Sequence, residues 1–220
     1  MTTVLVVDDQ ILIRAGVAAL LRAAPGIEVA GEAENGEQAV ALTAATRPDV
    51  VLMDINLPGV NGIEATRRIL ADADPDGTPS RVLILTMYDL DEYVYDALRA
   101  GASGFLLKDT PPERLLTAVH TVATGDMLFA PSVTRRLIEA YVSRSIPAPA
   151  ALAELTEREV LVLRMVGRGM ANAEIAVALG IAEATVKTHV NRVLTKLRLN
   201  SRAQAVVYAY ETGLVSPSVS

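Results

Sequence analysis

Val50-Val-Leu-Met-Asp54-Ile-Asn-Leu-Pro-Gly59 sets four apolar residues directly before an acid and then breaks at Pro-Gly. So short a run, apolar throughout, reads as a strand buried on both faces. Runs of the same kind lie on either side of it, at 4–7 and 27–33 before and at 82–85 and 105–107 after. Helical segments fall between them, near 11–24, 36–46, 62–71, 91–100 and 112–124. In the last of these, Leu115, Leu116, Val119, Val122 and Ala123 recur with a helical period. Five strands alternating with five helices predict an α/β domain, a parallel sheet with helices on both faces.

In such sheets the functional crevice lies at the carboxyl ends of the strands. Asp8 and Asp9 close the first strand, Asp54 the third and Thr86 the fourth, and Lys108 follows the fifth. With strand order 2-1-3-4-5 these four strands are neighbours, so the five residues converge. Three crowded carboxylates repel one another and suit a hard divalent cation with oxygen ligands, of which Mg²⁺ takes one or two carboxylates together with phosphate oxygens. A lysine and a threonine hydroxyl across from them suit a phosphoryl group. Alone, each acid reads as a solvated turn residue, Lys108 as a solvent-facing lysine and Thr86 as an ordinary strand residue. The joint pattern reverses that reading.

Val-Val-Asp8-Asp9, Leu-Met-Asp54-Ile-Asn-Leu-Pro-Gly, Leu-Thr86 and Leu-Lys108 together resemble the receiver domain of bacterial response regulators, over roughly residues 3–125. The resemblance implies a flavodoxin-like five-stranded parallel sheet of order 2-1-3-4-5. It implies that Asp54 accepts a phosphoryl group from a histidine kinase. Asp9, Asp54 and the backbone carbonyl of Asn56 would bind Mg²⁺ directly, and Asp8 through water. Lys108 would pair with one phosphate oxygen and Thr86 would hydrogen-bond to another. Phe105 resembles an aromatic switch position, although a buried core Phe is nearly as good an account. Asn56 and Met87 would flank the phosphoryl group, and Gln10, where relatives often carry His, receives no role. The metal and Lys108 would offset charge as a carboxylate attacks phosphorus in line.

The net charge of −6 hides an asymmetry. Residues 1–130 hold 19 acids and 9 bases, whereas residues 152–220 hold 6 acids and 8 bases. An acidic first half and a mildly basic second half point to different partners. Ser143-Arg-Ser-Ile-Pro-Ala-Pro-Ala150 reads as a linker, with a short helix expected over 131–142 before it. The expected domains are therefore 1–129, a linker at 130–151, and 152–220. With no cysteine the chain has no disulfide or thiol chemistry, and two histidines exclude a histidine-rich metal site. No membrane span or signal peptide is expected, which predicts a cytoplasmic protein.

Residues 156–212 read as four short helices. Thr156-Glu-Arg-Glu159 and Ser201-Arg-Ala-Gln204 have the spacing of capping boxes. The segment 173–179, a glycine turn and 183–197 have helix-turn-helix proportions. In the second of these helices Val186, Val190, Val193 and Leu197 make one apolar stripe, with His189 at its flank. Lys187, Thr188, Asn191 and Thr195 face the other way, with Arg192 at the edge. After Glu183 that outer face carries no acid, as a helix lying among phosphates requires.

Leu-Thr156-Glu-Arg-Glu-Val-Leu, Asn172-Ala-Glu-Ile-Ala and Thr185-Val-Lys187-Thr-His-Val-Asn191 resemble the LuxR-type DNA-binding domain, over about 152–215. Joined to the receiver, the chain resembles the NarL/FixJ response regulators. The resemblance implies base contacts from Lys187, Thr188 and Asn191, and phosphate contacts from Thr185 and Lys196, on double-stranded promoter DNA. It implies homodimerisation on phosphorylation through residues 201–212, and no enzyme activity beyond self-phosphorylation and self-dephosphorylation. Relatives commonly carry Ser where this chain has Ala171 and Ala182, so two helix caps are lost, and Asn172 is expected to cap its helix one residue late. Two other readings compete. A haloacid-dehalogenase-type phosphatase needs an acid two residues after its nucleophile, where this chain has Asn56. A receiver-controlled protein- or RNA-binding module fits less well with the acid-free helix face.

Overall fold

The computed structural model describes residues 1–72, 79–87, 91–125, 152 and 154–215. The chain divides between residues 129 and 130 into two compact units. The helix expected over 131–142 and the linker at 143–150 lie outside the described residues.

The first unit runs β1 (Thr2–Val7), α1 (Ile11–Ala23), β2 (Ile27–Ala33), α2 (Gly36–Thr46), β3 (Val50–Met53), α3 (Gly62–Ala71), β4 (Arg81–Thr86), α4 (Asp91–Ala100), β5 (Gly104–Leu107) and α5 (Pro112–Ala123). The strands form one sheet in the order β2-β1-β3-β4-β5, and every pairing is parallel. All four residues of central β3 are buried, because helices cover both faces. On one face Val4, Val6, Val50, Leu52, Leu83 and Leu85 pack with Ala18 and Leu21 of α1 and with Leu115, Ala118, Val119 and Val122 of α5.

The ladder continues past the strand ends, and this aligns the site. The Asp54 N–H donates to the Val7 carbonyl at 3.0 Å, the Asp8 N–H to Ala33 at 3.0 Å and the Lys108 N–H to Thr86 at 2.8 Å. The β3–α3 loop is gripped from below. A Cβ on Gly62 would fall 1.9 Å from the Asp54 carbonyl oxygen, and one on Gly36 would fall 2.1 Å from that of Val60. Only glycine allows α3 and α2 to start this close to the loop.

The second unit holds α6 (Glu157–Gly167), α7 (Asn172–Leu179), α8 (Glu183–Leu197) and α9 (Arg202–Glu211). Its core includes Val162, Leu163, Val166, Ile175, Val186, Val193 and Val206. The Thr156 capping box is complete: Glu159 N–H donates to Thr156 Oγ1, and Thr156 N–H to Glu159 Oε2. At α9, Ser201 Oγ accepts from Gln204 N–H, while Gln204 Oε1 reaches one residue further back to the Asn200 N–H. Gly180 ends α7 in the left-handed conformation, φ 63°, and Ile181 N–H returns to the Ala176 carbonyl.

The expected cap by Asn172 is not formed. The N-cap of α7 is Ala171, whose N–H donates to Glu174 Oε2 at 2.7 Å. Asn172 is already in the helix and is buried, and its Oδ1 accepts from Arg202 Nη1 at 2.5 Å. A side chain committed to α9 cannot turn back to cap α7. Among the described residues no helix is long and apolar enough to cross a membrane.

Candidate functional site

β1, β3 and β5 deliver the acids and the lysine to one point. The Lys108 ammonium lies 2.7 Å from Asp8 Oδ2 and 2.8 Å from Asp54 Oδ2, and all three side chains are at most 4% exposed. Carboxylate oxygens of Asp8, Asp9 and Asp54 lie within 4.8 Å of one another. Asp9 is exposed, while Asp8 and Asp54 are buried. Thr86 is buried at the end of β4, and Asn56 is exposed in the β3–α3 loop. Phe105 is 3% exposed within β5, opposite Ile84 of β4.

Burial is the largest influence on the Asp54 carboxyl, which stands above the usual carboxylate range. The charge of Asp8 raises it further, and Lys108 and the backbone of Asn56 oppose the rise. Burial pulls Lys108 down, but its hydrogen bonds to Asp54 and Asp8 outweigh that and hold the ammonium above its ordinary value. Three acids and one base leave a cluster with an excess of negative charge and hard oxygen donors. That donor set fits a divalent cation of the Mg²⁺ class.

Reading the sequence missed Arg14. Its Nη1 donates to the Asp8 carbonyl oxygen at 2.5 Å, from one turn inside α1. No local motif marks it, since a single arginine on an amphipathic helix reads as solvent-facing.

In the second unit, Val186, Val190 and Val193 of α8 are buried, and Leu197 is half-buried. Thr185, Lys187, Thr188, Asn191, Arg192 and Thr195 are all exposed along the outer side. His189 is half-buried beside the stripe. Lys196 is turned inward: its ammonium donates to Glu159 Oε2 at 2.7 Å and to the Glu154 carbonyl at 3.2 Å. An ammonium has three donors, so one remains for an external oxygen. Arg158 Nη2 donates to the Leu179 carbonyl and so fastens α6 to the end of α7.

Comparison with known proteins agrees with both halves. Residues 4–120 match the response regulator receiver domain, and residues 153–209 match the luxR family of bacterial regulatory proteins. Over 210 residues the chain is 41% identical to YxjL of Bacillus subtilis, described as an uncharacterized transcriptional regulatory protein, covering 94% of each chain. It is 37% identical over 209 residues to the nitrate/nitrite response regulator NarL of Escherichia coli K12, covering 95% of each. The crystal structure of the response regulator ChrA, from a heme-sensing two-component system, covers 97% of this chain and 98% of its own at 34% identity, with a TM-score of 0.53. The chain thus belongs to the NarL-type response regulators, two-component transcription regulators that join a receiver domain to a LuxR-type DNA-binding domain.

Proposed function

We propose that Asp54 accepts a phosphoryl group from the phosphohistidine of a histidine kinase, and that this controls homodimerisation and promoter binding. The observation that carries the reading is the Lys108 ammonium shared between Asp8 and Asp54, with Asp9 alongside.

An Asp54 oxygen attacks phosphorus as the phosphorus–nitrogen bond breaks, and the electron pair leaves with the histidine nitrogen. Asp9, Asp54 and the Asn56 carbonyl would hold Mg²⁺, with Asp8 acting through water, and the ion would neutralise phosphoryl oxygens. Lys108 exchanges its contact with Asp54 for one with a phosphoryl oxygen, and its charge is held in place by Asp8. The Thr86 hydroxyl takes a second oxygen, and Phe105, in the next strand, is the candidate to follow that movement. Because both anchors are buried, they act at low effective dielectric, where each charge or hydrogen bond counts for more than it would in water.

In the second domain α8 enters the major groove. Lys187, Thr188 and Asn191 read bases, Thr185 and Lys196 contact phosphates, and Arg192 supports them from the edge of the same face. Homodimerisation would use residues 201–212. Five apolar residues of α9 are already buried within the unit, which leaves half-buried Gln204, Tyr208 and Glu211 as one face for a second copy. Each copy carries little basic excess, so pairing two modules raises affinity through effective concentration.

Incubating the full chain with acetyl phosphate and Mg²⁺ tests the chemistry. One labile phosphate should appear on the peptide carrying Asp54, and it should be lost in Asp54→Asn and in EDTA. Label that persists in either refutes the assignment. Light scattering with beryllofluoride tests the dimer, which an unchanged mass at micromolar concentration would contradict.

A further inference from the structure

Asp8 is held through each of its polar groups. Its N–H donates to Ala33, its carboxylate accepts from the Gln10 N–H at 2.9 Å and from Lys108, and its carbonyl accepts from Arg14 Nη1. The guanidinium is oriented in turn. Arg14 Nε lies 3.7 Å from Glu32 Oε2, and Glu32 Oε1 accepts from Arg22 Nη2 at 2.8 Å. The Arg14 side chain is only 13% exposed, so this is not a surface pair free to drift.

The Asp8 carbonyl and the Asp9 N–H belong to one rigid plane. The ladder bond from the Asp8 N–H to Ala33 fixes the plane before Asp8, whereas the plane after it carries the carbonyl that Arg14 holds. We propose that Arg14, oriented by Glu32, is a positioning residue for the Mg²⁺ site: by fixing the Asp8–Asp9 peptide plane it sets the direction of the Asp9 carboxylate. The inference rests on the Mg²⁺ reading above. Arg14 bonds the carbonyl and Glu32 rather than the three metal-facing carboxylates, so it does not compete with a cation for their oxygens.

Two effects of Arg14 on a divalent cation have opposite signs. As a positive charge near the acids it repels the ion, so a bystander arginine would weaken binding and its loss would tighten it. As a support for Asp9 it strengthens binding, and its loss would weaken it. Partners that orient metal ligands typically contribute about 10–100-fold in metal affinity.

The test is Mg²⁺ titration of the full chain, followed by the amide resonances around Asp8 and Asp54, in wild type, Arg14→Met, Arg14→Lys and Asp9→Asn. Thermal melts without metal check folding. Arg14→Met is expected to bind Mg²⁺ about tenfold more weakly. Arg14→Lys keeps the charge but loses the fork that holds the carbonyl and Glu32 together, and should fall between. Equal or tighter binding by Arg14→Met overturns the inference. If that variant does not fold, wild-type affinity in Arg14→Lys overturns it instead. Should wild type itself ignore Mg²⁺, or Asp9→Asn bind like wild type, the metal reading fails and this inference with it. A wild type that binds while both Arg14 variants bind equally well refutes the inference alone.

Discussion

The Lys196 ammonium donates to Glu159 Oε2 at 2.7 Å, tying the last turn of α8 to the first turn of α6 across 37 residues of sequence. The same oxygen accepts from the Thr156 N–H, so one carboxylate closes a helix cap and anchors α8. These hydrogen bonds, Lys196 first, lower the Glu159 carboxyl from 4.5 to about 2. The unfolded chain therefore binds the extra proton first. The stabilisation is complete above about pH 4.5 and is lost as pH falls toward about 2. Lys196 is 36% exposed, so solvent screening limits the pair to about 1 kcal/mol. Protection of the Val162 and Leu163 amides, taken relative to free-chain exchange at each pH, should fall over that acid window in wild type and much less in Glu159→Gln. Identical acid limbs would show that the pair contributes nothing.

Among the described residues, Lys108 is the one base that pairs with both buried carboxylates of the first site, and removing it leaves their charges uncompensated. Breaking a buried pair in this way costs about 3–5 kcal/mol. Lys108→Ala should melt well below wild type without divalent ions. Added Mg²⁺ should raise its melting temperature more than that of wild type, because the ion replaces the lost charge. Equal Mg²⁺-induced shifts in the two proteins would refute this.

Gly62→Ala places a methyl group 1.9 Å from the Asp54 carbonyl oxygen, a distance no side chain tolerates. The loop or the start of α3 must move, at a cost of about 1–3 kcal/mol or more. Because the displaced atom belongs to Asp54, the proposed phosphoacceptor, acetyl phosphate labelling should slow more than the loss of folded protein explains. Labelling in proportion to the folded fraction would show that the close approach serves packing alone.

The receiver fold was legible because its strands are short and apolar on both faces and its acids sit directly at their ends. β3 and Asp54 show this together: burial of Val50–Met53 on both sides fixes the strand, and its end fixes the acid. Thr156 and Glu159 were legible as a cap, since a capping box is local. Lys196 as the second partner of Glu159 was not, because only the packing of α8 on α6 brings them together. Arg14 and Gly62 escaped for the same reason. A guanidinium that reaches back to a carbonyl and a missing Cβ that admits a backbone have no periodicity. Asn172 was misread because its cap spacing was local, while the group that claimed it, Arg202, came from another helix.

Ala171→Ser supplies the acceptor that α7 lacks, and Glu174 already holds the N-cap N–H in the geometry of a capping box. The substitution should stabilise the second domain by about 1 kcal/mol. Urea denaturation followed by helix signal tests it. A midpoint at or below that of wild type would show that residue 171 cannot turn its hydroxyl onto the Glu174 N–H.

Asn191 and Lys196 should separate base reading from phosphate contact. Asn191 is exposed on the outer side of α8, and asparagine can pair bidentately with adenine in the major groove. Asn191→Ala should therefore cost about 1–3 kcal/mol on the preferred site and much less on random DNA. Lys196 lies more than a turn further on, with two of its donors held by Glu159 and Glu154 and one left for a phosphate. Lys196→Ala should weaken specific and random duplexes alike and flatten the salt dependence by about one unit of slope. It should also destabilise the domain, which Asn191→Ala should not, because Asn191 is exposed and its backbone carbonyl already serves Thr195 without its side chain. Titrations of both variants over a range of salt, on both duplexes and below their melting temperatures, decide between the roles. If Asn191→Ala loses affinity equally on both duplexes, the base-reading face of α8 lies elsewhere. If Lys196→Ala leaves the salt slope unchanged, Lys196 serves only to hold α8 on Glu159.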